Sequence, residues 1–197
     1  MTNKPIIIAI CGKSATGKDT LLRQIKENYP KGRHCGVNVL ISDTTRPIRL
    51  HEKEDVDYHF ISEALFEYKI KHKEYLEYSE FNHWFYGTPL NQITEHAINV
   101  GIFNPEGIKT LGKIQDRCIV VPVYLEIRMS ERIRRSCRRE HKFKLEYVRR
   151  AFVDVKDFKD MDNILQEFPE YIILRNERLM NQVSVVFNLL DDMGSFV

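Results

Sequence analysis

The sequence predicts an α/β layered fold built on a central, mostly parallel five-stranded sheet. Three observations carry that prediction. Apolar strand-like runs alternate with amphipathic helical segments along most of the 197 residues. A glycine-rich turn joins the first apolar run to the first helix. Two segments, one rich in aromatics and one in arginine, interrupt the alternation and read as additions to the core.

Residues 5–11 (PIIIAIC) form an unbroken apolar run, the signature of a parallel strand covered on both faces. Further strands are expected at 37–42, 97–103, 118–125 and 171–175. Helical spacing of apolar residues, as in Leu21, Leu22 and Ile25, places helices at 19–28, 63–72, 90–96, 106–116, 130–138, 145–158 and 178–190. The core is then expected from residues 1–41, 91–128 and 155–197. One insertion covers 42–90, rich in Tyr, Phe, His and charge, with little buried-strand character. A second, at 129–154, carries Arg132, Arg134, Arg135, Arg138, Arg139, Arg149 and Arg150. Such a run is usually a solvated face, but arginines far outnumber acids here, as a lid closing over polyphosphate requires.

The turn reads Gly12-Lys13-Ser14-Ala15-Thr16-Gly17-Lys18-Asp19-Thr20. It follows the pattern G-x-x-x-x-G-K-[ST], with Asp19 in the hydroxyl slot. Small residues let successive backbone N–H groups turn inward, and the following helix aims its positive end at the same oxyanions. Lys18 adds an ammonium that can follow a transferred phosphate. Strand, loop and helix come in the required order, so the fold expected is that of the P-loop NTPases, with ATP held by residues 12–20. Asp19 can offer a carboxylate to Mg²⁺ where a neutral hydroxyl is usual.

Composition excludes some classes. A formal charge of +2 gives no argument for a nucleic-acid surface, and no apolar run nears the roughly 20 residues that span a bilayer. The amino terminus leads directly into the first strand, so no signal peptide is expected. Cys11, Cys35, Cys118 and Cys137 form no C-x-x-C pair, and Cys137 with His141 lacks a second pair to complete a metal site. A reducing, cytoplasmic setting is expected.

Four motifs occur in order between the phosphate loop and the second half of the core: Ser42-Asp43-Thr44-Thr45-Arg46-Pro47-Ile48-Arg49, Asp57-Tyr58-His59-Phe60, Leu76-Glu77-Tyr78-Ser79-Glu80-Phe81 and Tyr86-Gly87-Thr88-Pro89. Their order and intervals resemble those of the guanylate kinases, from Ile6 to about Leu190. The resemblance implies ATP-dependent phosphorylation of GMP or dGMP with Mg²⁺, with 42–90 as the monophosphate-binding subdomain and 129–154 as a helical lid. It assigns the acceptor phosphate to Arg46, Arg49, Tyr58 and Tyr86. It places Ser42 and Thr88 beside the base and gives Glu77 the N1–H and N2–H₂ edge of guanine. Arg135, Arg139 and Arg150 are implied to neutralise donor phosphates, and Asn176 to lie against the donor adenine. Lys18, Arg46, Arg139 and Arg150 would carry catalysis. No nucleic-acid or membrane partner is implied, and monomer or homodimer stays open.

The chain departs from the family where two aspartates are usual. The stretch Ile102-Phe103-Asn104-Pro105-Glu106-Gly107 puts Ile102 at the metal aspartate's place and Asn104 at that of the guanine reader. Asp19 is therefore expected to supply the carboxylate missing at Ile102, and Asn104 to accept from guanine without charge. Two alternatives stay open: a relative acting on ribose 1,5-bisphosphate, and a non-catalytic module of the same family that binds phosphopeptides.

Overall fold

The computed structural model describes residues 4–29, 36–50, 52–81, 83–140, 145–175 and 178–194. Strand β1 (Ile6–Gly12) lies at the centre of a sheet ordered β2 (Gly36–Val39), β7 (Ala97–Ile102), β1, β8 (Ile119–Leu125), β9 (Ile172–Leu174), and every pairing is parallel. Period-two alternation divides the β1 side chains between two cores. Ile6, Ile8 and Ile10 pack with α1 (Lys18–Asn28) and α7 (Leu179–Gly194) through Leu21, Ile25, Val186 and Leu190. Ile7, Ala9 and Cys11 face α3 (Pro105–Gly112) and α6 (Met161–Gln166) through Ile108, Leu111, Met161 and Leu165. Each isoleucine so buried contributes roughly 1.5–3 kcal/mol over exposure. The five expected strands are present, and their bounds shift by at most three residues.

The segment read as poor in strands forms a sheet of its own, ordered β4 (His59–Phe60), β3 (Asp43–Thr44), β6 (Trp84–Pro89), β5 (Tyr75–Phe81). Two of these strands are two residues long, too short to show any period in the sequence. Helix α2 (Glu63–Lys71), capped by the Ser62 hydroxyl, covers this sheet. Its buried Phe66 stacks on Tyr75 and Phe85 with ring centroids 4.6 and 5.4 Å apart.

The helix expected at 90–96 is a single 3₁₀ turn, Leu90–Gln92. Side chains take up the backbone groups that a longer helix would use. Asn38 Nδ2 donates to the Gln92 carbonyl at 2.6 Å, and the buried Asn99 amide accepts from Thr94 N and donates to Thr94 O, while the Gln92 side chain ties this turn to the N–H and C=O of Ile41 at 2.8 Å. Helix α6 was not anticipated. In the arginine-rich region α4 (Met129–Glu140) and α5 (Leu145–Asp157) form a helical pair, and α5 ends one residue short of the expected 145–158. Among the described residues, no helix is long and apolar enough to cross a membrane.

Candidate functional site

Strand order reverses at β1, and the phosphate loop leaves the carboxyl end of that strand, where ligands bind in open α/β sheets. Thr16 is fully buried and turns its hydroxyl onto the Lys13 carbonyl at 2.8 Å. Gly17, at φ +105°, starts α1 from a left-handed conformation that a side chain would strain. Lys18 folds back so that Nζ donates to Lys13 O at 3.3 Å. Asp19 is exposed in the first turn of α1 and takes no hydrogen bond from the described residues.

The helical pair grips this loop from outside. Arg135 Nη1 donates to Thr16 O at 2.8 Å and Arg132 Nη1 to Ser14 O at 3.2 Å. Asp154 on α5 accepts from Ser14 N at 3.0 Å and Ser14 Oγ at 2.9 Å, and pairs with Arg132. Glu131 is drawn down to about 2, chiefly by hydrogen bonds from Arg134 and then Arg135, which outweigh its partial burial. Arg135, expected on donor phosphates, is thus engaged with a loop carbonyl and Glu131.

On the inserted sheet, Arg46 is buried with its guanidinium over the Tyr58 and Phe60 rings, 5.4 and 5.7 Å from their centroids. Its Nη1–Nη2 end forks onto Glu52 at 3.0 and 2.9 Å. Burial opposes the charge on Arg46, but the Glu52 hydrogen bond and charge prevail and hold its pKa above the ordinary value. The same pairing, with Arg49 N–H, overcomes burial at Glu52 and keeps that carboxyl below its usual range. Arg49 is lowered by burial first and by Arg46 next, with Arg150 of α5 adding to the effect. Burial, then the Asp19 carboxylate, pushes the Tyr58 phenol up, and Tyr86 lies edge-on to Tyr58 at 5.9 Å. Asp19 of the phosphate loop thus lies within electrostatic reach of Tyr58, and Arg150 of α5 within reach of Arg49.

Beside this cluster Thr88 Oγ1 donates to Glu77 Oε1 at 2.8 Å, and Ser42 Oγ lies 3.5 Å from Thr88 Oγ1. Glu77 is 5% exposed, and burial pushes its carboxyl up to about 7 against the Thr88 bonds that lower it. Gly107 leaves room for this carboxylate: a Cβ there would sit 3.1 Å from Glu77 Oε2. Asn104 caps α3, its Oδ1 accepting Gly107 N at 2.7 Å while Nδ2 donates to Ser79 Oγ at 3.0 Å. The oxygen expected to face a base thus holds a helix end. Ile102 packs partly buried against the core.

The Arg139 side chain, Asn176, Cys35 and His141 lie outside the described residues. Three residues that bond the expected site residues were not singled out from sequence: Glu52 at Arg46, Asp154 at Ser14 and Ser79 at Asn104. A carboxylate six residues after Arg46 was a usable signal for Glu52. Asp154 was masked by Arg150, the partner that i,i+4 spacing suggests.

Residues 2–192 match the family model of guanylate kinase. A guanylate kinase of Prochlorococcus marinus is 38% identical over 95 residues, 48% of this chain and 49% of the relative. One from Listeria monocytogenes is 38% identical over 104 residues, 52% of this chain and 49% of the relative. The human MAGUK p55 subfamily member 3 is 32% identical over 112 residues, 55% of this chain and 18% of that protein. The chain spans about half the length of the curated guanylate kinases it matches. The crystal structure of guanylate kinase from Anaplasma phagocytophilum superposes with a TM-score of 0.62 at 16% identity, over 98% of this chain and 88% of that one, a likeness of fold.

Proposed function

The chain belongs to the guanylate kinase family, and on that premise we propose that it transfers the γ-phosphoryl group of ATP to GMP or dGMP. One observation carries the reading: the Arg46–Tyr58–Tyr86 cluster, with Arg49, is within electrostatic reach of Asp19 in the phosphate loop and Arg150 in the helical pair, and the buried Glu77–Thr88–Ser42 group lies on the same inserted sheet. Residues 42–90 are the acceptor-binding part and 129–154 the lid.

The acceptor is a phosphate oxygen already ionised near neutral pH, so the chain needs no general base. Rate then comes from placement and charge neutralisation. Lys18 and the loop amides hold the donor phosphates. Arg46 and Arg49 grip the acceptor phosphate with planar forks, and Tyr58 and Tyr86 donate phenolic hydrogen bonds. Glu77 accepts from the N1–H and N2–H₂ of guanine, an edge that adenine does not present. Arg150 and Arg139 add positive charge over the transferring group, and closure of the lid keeps water out. Asn176 lies against the donor base. Asp19 fits a Mg²⁺ partner, since its carboxylate is exposed beside the loop and takes no hydrogen bond from the described residues, and Mg²⁺ commonly takes one carboxylate together with water and substrate phosphates. When bound, the ion offsets negative charge on the β- and γ-phosphates.

A coupled assay of ADP release with GMP, dGMP and ribose 1,5-bisphosphate tests the reading. ADP formation that depends on a guanine monophosphate is expected. Turnover with the sugar bisphosphate alone, or no turnover with any acceptor, overturns it, the latter in favour of a binding module.

A further inference from the structure

The pair Arg132–Asp154 lies behind the phosphate loop, and the acceptor and base chemistry above makes no use of it. Its side chains are 3% and 8% exposed, on two helices and 22 positions apart. Burying two charges is costly unless the pair is closely matched and its remaining donors and acceptors are satisfied. Here most of that satisfaction comes from one residue of the loop. Ser14 gives its N–H and its hydroxyl to Asp154 and its carbonyl to Arg132, and Arg132 also reaches Ala151 O.

The consequence for the loop follows from peptide geometry. In a trans peptide the carbonyl of one residue and the N–H of the next point in opposite directions, and the described chain contains no cis bond. Arg132 draws the Ser14 carbonyl toward the helices, so the Ala15 N–H is aimed away from them. Arg135 does the same to the Thr16 carbonyl, and so to the Gly17 N–H. Two arginines one turn apart thus orient loop amides by holding the carbonyls behind them. Asp154 fixes the loop at Ser14, and its negative charge beside a polyphosphate site is cancelled by Arg132.

We propose that Arg132 and Asp154 form a neutral clasp that positions the phosphate-loop amides and ties the helical pair to the loop. Both are positioning residues that act through Ser14. The proposal rests on the reading of the loop as the ATP site, and its test separates the two.

Amide exchange in the nucleotide-free protein reads the clasp by itself. D154N is expected to speed exchange at Ser14 and along α4 and α5, and S14A to do so more weakly. Unchanged protection in D154N overturns the proposal. Calorimetric titration with MgATP reads the charge argument. R132M leaves a carboxylate uncompensated at the loop, so its ATP affinity is expected to fall about tenfold. The double variant R132M/D154N is expected to regain most of that affinity while its kcat stays low, because the amides are no longer oriented. A purely structural pair would instead make the double variant no better than R132M, and that ordering overturns the proposal. If R132M does not fold, D154N and S14A still decide through exchange. A wild-type chain that binds no MgATP refutes the kinase reading, and the exchange result still judges the clasp.

Discussion

Both anion-handling regions of this molecule hold an arginine against a carboxylate of the chain itself, but in opposite settings. On the inserted sheet Glu52 meets Arg46 with side-chain exposures of 17% and 7%. Behind the phosphate loop Asp154 meets Arg132 with 8% and 3% exposure, and the pair's bonds run into loop backbone. The first pair orients a guanidinium that, on the function proposed above, grips the acceptor phosphate. The second orients backbone amides and never needs to touch substrate. The difference lies in what each guanidinium is held against: aromatic rings of the inserted sheet for Arg46, and backbone carbonyls for Arg132.

The sharpest way to break this comparison is at the loop. Lys18→Met should lower kcat by at least about 10²–10³-fold, the usual loss when a preorganised charge partner of the transition state is removed. Steady-state assay at saturating ATP and GMP checks it. Arg46→Ala should cost about 10²-fold in kcat/KM for the acceptor, through loss of phosphate grip and alignment. KM for ATP should stay nearly constant, and a shift there instead would erase the division between the two regions.

Glu77 comes next. E77Q should reduce the preference for GMP over AMP by about 10- to 100-fold, the value of a charged hydrogen bond. Its pH behaviour has two opposite signs. The folded-state pKa is raised to about 7 by burial, so stability tied to the proton is present below the ordinary carboxyl value and is lost as pH rises through 7. The loss is about 3 kcal/mol at most. Guanine binding needs the anion, so GMP affinity should rise over the same interval. Thermal melts and GMP titrations between pH 5 and 8.5 check both slopes, and E77Q should flatten them.

Smaller effects refine the picture. E52Q should raise KM for GMP roughly three- to tenfold with kcat little changed, because Arg46 loses the charged partner that orients it. A lower KM would make Glu52 a competitor of the acceptor phosphate instead. N104A should cost about 1 kcal/mol of stability as a lost helix cap, measured by urea unfolding. It should leave base preference in place, since the Asn104 oxygen already serves Gly107.

The core was legible because its signals are local. An unbroken apolar run announced β1, and the glycine–lysine spacing announced the turn that follows it. The inserted sheet was legible only as motifs, since strands of two residues such as β3 and β4 carry no period and are held by partners far along the chain. The false helix at 90–96 had plausible spacing, but the Asn38 and Asn99 side chains claimed its backbone. Arginine register resisted reading for a similar reason. Arg132 and Arg135 turn to loop carbonyls through contacts 118 and 119 residues distant, which no window of sequence contains.

The thiols along the chain have a practical consequence. Cys11, one residue before the turn, is wholly buried and pushed up to about 12 by that burial, and Cys118 is buried and raised as well. Neither offers the thiolate that maleimide chemistry requires. Cys137 on α4 is partly accessible. In a Cys35→Ser background a fluorophore attached there would report the approach of that helix to the nucleotide in real time, with no need to strip the remaining sulfurs from the protein.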